Sequence, residues 1–271
     1  MTRLVRWIPF SALAFVSIAQ AAGEDVPFVT TPDNVAVTML QIARVNANDF
    51  VIDLGSGDGR IVIAAAKQFG ARALGVEIVP DLVKKSRENA AAAGVAGRVE
   101  FREEDLFKTD LSDATVITLY LLPDVNLELR PKLIALRPGT RIVSHDWDMG
   151  DWPPERSVTV EAPDKAIGLE KTSKVHLWIV PARIQGAWCG TGKAKPTLDI
   201  DQKFQSLRAK LTRGDARHSF DGRIRGAQVQ SIDGDLVLTA EGERLKPVVA
   251  RNAFSALRGV TFSRRTTESC K

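Results

Sequence analysis

The residues best suited to chemistry lie together at positions 51–60, which read VIDLGSGDGR. Gly55, Gly57 and Gly59 are spaced two residues apart and follow an apolar run that is typical of a buried strand. A helical pattern begins directly after them. A glycine-rich turn between a strand and a helix N-terminus lets the backbone approach a ligand closely. The stretch therefore predicts a ligand-binding turn.

Acidic residues near this turn indicate which ligand it would accept. The G-x-G-x-G spacing differs from the G-x-G-x-x-G of a dinucleotide fold, which disfavours a nicotinamide-dependent oxidoreductase. Asp53 and Asp58 place negative charge in the turn, which repels a pyrophosphate and suits a ligand with an ammonium group or a cation. Glu77 closes a second apolar run 18 residues beyond Gly59. That distance is typical of an acid that accepts hydrogen bonds from a ribose diol.

The motif DLGSGDGR, followed by GVE at residues 75–77, resembles the class I S-adenosylmethionine-dependent methyltransferases. The similarity covers roughly residues 30 to 180, and the motif DLGSGDGRIVIAAA is most similar to the non-SET protein-lysine methyltransferases and their bacterial relatives. The resemblance implies S-adenosyl-L-methionine as the methyl donor. It makes a protein lysine amine the first candidate acceptor, with small-molecule amine or oxygen acceptors open. An exported module that binds the donor or a nucleoside without catalysis is the alternative.

The resemblance also implies which residues hold the donor. A hydroxyl before the first helix, at Thr30 or Thr31, would reach the amino-acid end of the donor, although either residue could simply cap the helix. Asp105 best matches the acid that accepts the adenine amino group. Glu104 is the near alternative, and a solvated acidic loop is the structural explanation. The predicted donor-binding residues are Thr31, Asp53, Gly55, Ser56, Gly57, Gly59, Glu77, Ile78, Asp105 and Leu106.

Three residues at the ends of the fourth and fifth predicted strands are candidates for the transfer itself. In the resembling class the end of strand four faces the transferred methyl group, and Tyr120, the only tyrosine in the chain, lies there. Its ring could hold a cationic amine, and its hydroxyl could orient a nucleophile. His145 could accept a proton from an attacking ammonium group, and Asp146 could bind a cationic substrate. Each of the three could instead be structural.

The same turn bears on the acceptor. Residues 119–123 read LYLLP, whereas the enzymes of this class that methylate exocyclic amines of nucleobases often have an N-P-P-[YF] turn at this place. The departure disfavours a nucleic-acid acceptor, and a protein or small-molecule acceptor is expected.

Alternating strand and helix patterns predict an α/β fold with a Rossmann-like, seven-stranded methyltransferase sheet. Residues 157–161 and 174–180 alternate and predict an antiparallel hairpin, which is the reversed edge that completes the sheet in the resembling family. The predicted parallel strands cover residues 50–53, 73–77, 98–101, 114–123 and 139–144, and the predicted helices cover residues 32–43, 59–69, 81–93 and 126–136, the last bent or restarted at Pro131.

Pro181 ends the predicted methyltransferase domain, residues 23–181, and the pattern changes in residues 182–271. Short alternating runs and a strong hairpin signal at Asp233-Gly234 predict a small antiparallel β domain, a half-barrel or a sandwich. From Arg183 onward the chain has 17 Lys/Arg and 9 Asp/Glu, whereas the remainder has 20 and 24. A basic surface could meet nucleic acid, an anionic membrane or an acidic protein, or could simply be solvated.

Residues 1–22 have the pattern of a secretory signal peptide, with two early arginines, an apolar run and an A-x-A cleavage site. The pattern predicts a periplasmic or secreted protein, with an uncleaved inner-membrane anchor as the alternative. No later run reaches transmembrane length. In an oxidising compartment Cys189 and Cys270 favour a disulfide over two free thiols, and neither has metal-ligand spacing with a histidine.

Overall fold

A computed structural model describes residues 29–166, 170–265 and 270, so the predicted signal peptide lies outside the described residues. The chain forms a seven-stranded sheet with helices, followed by a closed eight-stranded barrel. The predicted α/β class and the antiparallel C-terminal unit are confirmed, and the half-barrel or sandwich is corrected to a closed barrel. Within the described ranges no helix is both long enough and apolar enough to span a membrane.

The sheet has the strand order β3-β2-β1-β4-β5-β7-β6. The first five strands are parallel, and β7 runs antiparallel between β5 and β6, as the alternating hairpin pattern predicted. The strands are β1 (Phe50–Leu54), β2 (Arg72–Glu77), β3 (Val99–Glu103), β4 (Val116–Leu119), β5 (Arg141–His145), β6 (Arg156–Glu161) and β7 (Thr172–Ile179). Strand order reverses between β1 and β4, and ligands of open α/β sheets bind outside the carboxyl ends of the strands at such a point.

In the helices apolar residues recur every three or four positions, which gives each helix one apolar face. That face packs against the sheet. In the first helix the buried residues include Val35, Met39 and Ile42, which pack in the core beneath the sheet. The four helices are α1 (Asp33–Ile42), α2 (Arg60–Phe69), α3 (Pro80–Ala92) and α4 (Pro123–Ile134).

Helix α4 differs from the prediction at both ends. It begins at Pro123, three residues earlier than expected, because a proline fits the first turn, where its missing N–H costs nothing. It continues through Pro131 to Ile134 without a restart. Pro131 cannot donate to the carbonyl of Leu127, so that carbonyl has no donor from the next turn.

The barrel is antiparallel throughout and encloses its own apolar core, which includes Trp188, Phe254 and Phe262. The predicted turn at Asp233-Gly234 is confirmed: the Asp233 carboxylate accepts hydrogen bonds from the Ser231 hydroxyl and the Asp235 N–H. Its strands are β8 (Gly186–Gly190), β9 (Thr197–Lys203), β10 (Ser206–Arg213), β11 (Ala216–Arg225), β12 (Gln228–Ser231), β13 (Leu236–Glu241), β14 (Arg244–Ala250) and β15 (Phe262–Arg264), with a 3₁₀ helix at Asn252–Leu257.

The barrel packs against the sheet through buried aromatic and amide groups. Trp152 Nε1 donates to Gln205 Oε1 at 3.1 Å, and Gln205 Nε2 donates to the Pro153 carbonyl at 2.7 Å. Trp178 Nε1 donates to the Trp152 carbonyl at 2.9 Å, and Phe204 stacks on Trp152. Because these polar groups are buried and satisfied, the contact fixes the barrel relative to β5 and β7.

Cys189 and Cys270 form the predicted disulfide, with 5.5 Å between their Cα atoms. The bond joins β8 to the residue at position 270, across 81 positions of sequence. It therefore closes the barrel unit covalently near its two ends.

Candidate active site at the carboxyl edge of the sheet

The glycine-rich turn leaves the end of β1 and is held against the end of β2. The N–H groups of Gly55 and Ser56 both donate to the Val76 carbonyl at 2.9 Å. The φ angles of Gly55, Gly57 and Gly59 are +76°, +53° and +82°, in the left-handed region that glycine adopts without a steric penalty. The predicted turn therefore depends on glycine at all three positions.

The three glycines are not equivalent. A Cβ at Gly59 would lie 2.7 Å from the Phe101 ring and 2.9 Å from the Ser86 Cβ, both of which are buried. Gly59 thus allows α2 to begin close to α3 and β3. Gly55, in contrast, is exposed, and a Cβ there would meet only the Leu121 side chain at 2.8 Å. Of the two, Gly55 is the one whose backbone is open to a ligand.

Glu77 joins the ends of β1 and β2. Its Oε2 accepts from the Gly57 N–H at 2.9 Å, and its Oε1 accepts from the N–H groups of Ile78 and Val79 at 2.9 and 3.0 Å. A carboxylate has about four acceptor positions, so roughly one remains for a further donor such as a ribose hydroxyl. Glu77 shapes the turn as well as being available to a ligand, a double role that spacing alone does not indicate.

Asp53 is buried at the end of β1 and accepts a 2.6 Å hydrogen bond from the Thr118 hydroxyl. Burial, followed by the negative charges of Glu77 and Asp58, raises the pKa of Asp53 to about 7, although the Thr118 bond opposes this. A nearby positive charge would lower this pKa again. The carboxylate is therefore poised to respond to a cationic ligand.

Asp58 is paired within the turn, so less net negative charge is available to a ligand there than the sequence predicted. Its carboxylate is paired with Arg60, with Nη2 to Oδ2 at 2.7 Å and Nε to Oδ1 at 3.0 Å. Arg60 also donates to the Thr31 carbonyl at 2.9 Å. The pair therefore ties the segment before α1 across the glycine turn.

The loops after β2 and β3 carry the predicted adenine-binding residues. Ile78 is 67% exposed and Leu106 is half-buried, as expected of side chains that flank a planar ligand. Asp105 Oδ1 accepts from the Phe107 N–H at 2.9 Å, and this bond lowers the pKa of Asp105 below its ordinary value. Lys108 lies 3.3 Å from its other oxygen in an exposed pair. Asp105 is thus ionised and keeps acceptor capacity for an exocyclic amine.

Tyr120 and His145 form a stacked pair at the ends of β4 and β5, with ring centroids 3.9 Å apart. The imidazole is fully buried: Nδ1 lies 3.2 Å from the Thr31 hydroxyl, and Nε2 lies 2.8 Å from the Ser173 hydroxyl. Burial lowers the pKa of His145 to about 4, and the Lys165 charge acts in the same direction. His145 is therefore neutral near pH 7, and both ring nitrogens already have partners.

Asp146 is bonded to its own sheet. Its N–H donates to the Lys174 carbonyl at 2.7 Å, its Oδ1 accepts from the Lys174 N–H at 2.9 Å, and its Oδ2 lies 2.7 Å from Lys165 Nζ. Its φ of +63° places it in the left-handed region, which aspartate tolerates better than most residues. The carboxylate is already paired with Lys165, so the geometry suits holding β5 to β7 more than binding a cationic substrate.

The Tyr120 ring is half-buried, and no described residue hydrogen-bonds to its hydroxyl. Burial raises the pKa of Tyr120, and the Asp146 charge adds to the effect. The hydroxyl is therefore protonated at neutral pH and can donate a hydrogen bond. Tyr120 is the member of the predicted catalytic set that a substrate can reach.

One further observation indicates that this edge fits an adenosyl amino acid. The Ser56 hydroxyl is buried in the glycine turn and has no hydrogen-bond partner among the described residues. Such a group costs free energy unless a ligand satisfies it. Together with the exposed Gly55 backbone, the spare acceptor of Glu77 and the exposed Ile78, it supplies the contacts that the amino-acid, ribose and adenine parts of S-adenosyl-L-methionine need.

Sequence reasoning missed several residues that position this site. Thr118 lies opposite Asp53 in the β1–β4 register, so aligning the two predicted strands would have found it. Arg60 directly follows the glycine motif, and its charge was a usable signal. Ser173 and Lys165 reach the site from the β6–β7 hairpin, and no local pattern marks them.

The strand order, the glycine turn and the acid at the end of β2 define a class I S-adenosylmethionine-dependent methyltransferase. The profile of the ANTKMT methyltransferase domain matches residues 53–156. A protein-lysine N-methyltransferase of Saccharolobus islandicus is 46% identical over 138 residues, which cover 50% of this chain and 86% of the relative. A lysine N-methyltransferase of Mus musculus, named for a subunit of ATP synthase, is 35% identical over 187 residues, covering 69% of this chain and 73% of the relative.

A solved structure is also similar. The crystal structure of an RNA methyltransferase from Salinibacter ruber in complex with S-adenosyl-L-homocysteine is 54% identical, with a TM-score of 0.53, and the match covers 58% of this chain and 96% of that chain. The chain belongs to the class I methyltransferase family that includes the non-SET protein-lysine N-methyltransferases. It is an enzyme that uses S-adenosyl-L-methionine.

Proposed function

We propose that this enzyme methylates the side-chain amine of a lysine in a polypeptide. The observation that carries the proposal is the Tyr120 ring, which is reachable at the end of β4 and rests on the neutral ring of His145. An aromatic face attracts an alkylammonium group by a cation–π interaction. The names of the relatives from Saccharolobus islandicus and Mus musculus support the same acceptor.

The donor, when bound, supplies an activated methyl group on a sulfonium, so the chain's own task is alignment and exclusion of water. In the proposal Glu77 holds the ribose, while Ile78, Asp105 and Leu106 hold the adenine. The turn of Gly55, Ser56 and Gly57 holds the amino-acid end. Asp53 faces the positive charge, and Thr31 acts through His145 because its hydroxyl lies 3.2 Å from that ring.

The proton of the acceptor ammonium group requires a separate route. Both nitrogens of His145 are engaged, and Asp146 is paired with Lys165. We therefore assign His145 and Asp146 to positioning: the former supports the Tyr120 ring, and the latter holds β5 against β7. The lysine ammonium group binds over the Tyr120 ring and then releases its proton to solvent, so the neutral amine keeps its lone pair for the methyl group. The Tyr120 hydroxyl oxygen can accept a hydrogen bond from the amine N–H.

Isotope-labelled S-adenosyl-L-methionine and a library of lysine peptides test the proposal. We expect label in the lysine Nε position, located by mass spectrometry, and a kcat/KM that rises with pH, because a free lysine amine titrates near pH 10.4. Tyr120→Ala should abolish transfer while donor affinity stays unchanged. Donor binding without transfer to any lysine peptide or protein would refute the proposed acceptor.

RNA is the second candidate acceptor, because the Salinibacter ruber chain with 54% identity is named an RNA methyltransferase. The LYLLP turn and the excess of acids before Arg183 argue against it, since a phosphate backbone is bound by cations. Parallel assays with total RNA and with lysine peptides discriminate between the two. Label confined to RNA would favour the second candidate.

We also propose that residues 1–22 are removed on export, and that residues 23–181 and 182–271 act as a methyltransferase domain and a basic support domain in the periplasm or outside the cell. The Cys189–Cys270 disulfide supports an oxidising location. N-terminal sequencing of the protein from fractionated cells tests this. A mature chain that begins at Met1 in the cytosol would refute export, and one that begins at Met1 in the inner membrane would favour the anchor.

A further inference from the structure

Exposed apolar side chains are concentrated around the active site. In the described part of the chain, eight large hydrophobic side chains are at least 39% exposed. Six of them lie in the loops or helix turns that follow β2, β3, β4 and β5. Those six are Ile78, Val79, Phe107, Leu122, Leu127 and Trp147, whereas Ile232 and Val248 lie on the barrel. The first three belong to the donor side.

The other three border the acceptor side. Leu122 lies two positions after Tyr120, and Trp147 lies two positions after His145, so both are close in sequence to the stacked pair. Leu127 lies in α4 and touches the loop after β5, because a Cβ on Gly150 would lie 2.9 Å from its Cδ2. These three side chains, called the apolar border below, all lie on the segments that follow β4 and β5, as does Tyr120.

The border is built on a rigid base. Asn126 is fully buried, and its Nδ2 lies 3.2 Å from the Ser144 hydroxyl and 3.4 Å from the carbonyls of Trp147 and Asp148. Arg130 donates to the Met149 carbonyl at 2.8 Å. The exposure of Trp147 is therefore fixed by its backbone contacts, and a side chain held out in this way is suited to a partner.

The charges beside the border are negative. Asp124, Leu127, Glu128 and Pro131 are exposed at the i, i+3, i+4, i+7 spacing of a single helix face, and Asp148 is exposed in the adjacent loop. No described cation pairs with these three acids. The nearby Arg130 is committed to Asp151 at 2.6 Å.

Resting on the proposed lysine acceptor, we infer that an acceptor rim binds a basic, apolar polypeptide segment around the target lysine. The rim consists of Leu122, Leu127, Trp147, Asp124, Glu128 and Asp148. Apolar residues of the segment cover the three hydrophobic side chains, and its cations face the three acids. The three acids disfavour an anionic nucleic acid as the occupant of this surface.

Two peptides test the rim: a lysine flanked by leucine, phenylalanine and arginine, and a lysine flanked by serine and glutamate. Binding is measured by calorimetry with S-adenosyl-L-homocysteine present. Leu127→Ser with Trp147→Ala should weaken the first peptide about tenfold or more, as for truncation of an aromatic anchor. Asp124→Asn with Glu128→Gln should weaken it less, and the effect should shrink at high salt. Ile232→Ser with Val248→Ala is the matched control and should change nothing.

Unchanged S-adenosyl-L-homocysteine affinity shows that each variant is folded. Equal binding of the two peptides by the wild-type enzyme, equal binding by wild type and rim variants, or displacement of the first peptide by a short RNA hairpin would overturn the rim. Methyl transfer is scored separately. Rim-dependent binding without transfer would refute the lysine acceptor and would support the rim as a binding surface. Equal transfer to both peptides would support the lysine acceptor and refute the rim.

Discussion

The imidazole of His145 lies almost parallel to the ring of Tyr120, with an interplanar angle of 25° and 3.9 Å between centroids. The imidazole is fully buried, whereas the phenol is partly exposed. The histidine therefore fixes the plane of the Tyr120 ring. This relationship separates Tyr120, which we propose contacts the acceptor, from the histidine that positions it.

Replacing His145 should affect positioning and leave the proton chemistry intact. In His145→Asn we expect a raised acceptor KM, because the Tyr120 ring loses its support, and an unchanged slope of kcat/KM against pH. Steady-state kinetics between pH 7 and 9 measure both. Loss of the pH dependence together with kcat would identify His145 as a general base instead. Exposed His218 in the barrel is the control position, and His218→Asn should have no effect.

The same histidine should make stability pH-dependent. Its folded pKa of about 4 lies below the ordinary 6.5, so the unfolded state binds more protons between these values. Stability that comes from His145 is therefore lost as pH falls from about 6.5 toward 4, at roughly 1.4 kcal/mol per unit of pKa difference. Thermal melts across this range should show a smaller acid effect in His145→Asn than in the wild type.

Glu77→Ala should weaken donor binding by about 1.5–3 kcal/mol, the range for a hydrogen bond to a charged group. Because Glu77 also accepts from the Gly57 N–H, the variant combines a lost ribose contact with a loosened turn. Glu77→Gln keeps the shape of the side chain. Its donor affinity, measured by calorimetry, should lie between those of Glu77→Ala and the wild type. Glu88→Gln, at an exposed position of α3, serves as the control. Wild-type affinity in Glu77→Ala would place the ribose elsewhere.

Donor affinity should rise with pH through about 7. The Asp53 carboxyl has a pKa of about 7 in the free protein, and a cationic donor binds better once it is ionised. Calorimetry from pH 6 to 8 measures the trend. Asp53→Asn should bind the donor weakly, and its affinity should not change with pH over this range. A pH-independent wild-type affinity would contradict a direct electrostatic role.

Asp53 should also lower stability at high pH. Its folded pKa lies above the ordinary 3.8, so the folded state binds more protons between about 4 and 7. Ionisation of Asp53 thus costs stability as pH rises through this window. Asp53→Asn should be more thermally stable than the wild type at pH 8 and closer to it at pH 4.

Reduction of the Cys189–Cys270 bond should destabilise the barrel. A closed loop of about 80 residues contributes roughly 4 kcal/mol in the chain-entropy model. Denaturant unfolding with and without a reductant measures the loss, and Cys189→Ser with Cys270→Ser should reproduce the reduced protein. Equal midpoints under the two conditions would exclude a stabilising role.

The sheet and the glycine turn were predictable because local patterns encode them. Glycine spacing, apolar runs and the acid at Glu77 gave the correct strands and the correct turn. Burial was not predictable: His145 became a fully enclosed group only because Thr31 and Ser173 arrive from distant parts of the chain. The same holds for Asp146, whose ion pair with Lys165 no local pattern reveals.

Closure of the barrel depends on similarly distant pairing. The strand β15 has only three residues, and it pairs with β14 on one side and with β8 on the other. Three residues give too short an alternation to be recognised, and their partner Gly186–Gly190 lies more than 70 positions earlier. A half-barrel was therefore the natural expectation for a chain whose closing strand is so brief.

A ring of strands has no first or last member. Each described strand of the barrel already has a hydrogen-bonded neighbour on either side, with β9 and β10 joining the two ends of the order. An incoming peptide could add a strand only beside a short ladder, such as the two residue pairs that join β14 to β15. Elsewhere a molecule that recognises the barrel would contact outward side chains and hairpin tips, whose sequence can change without disturbing the paired strands.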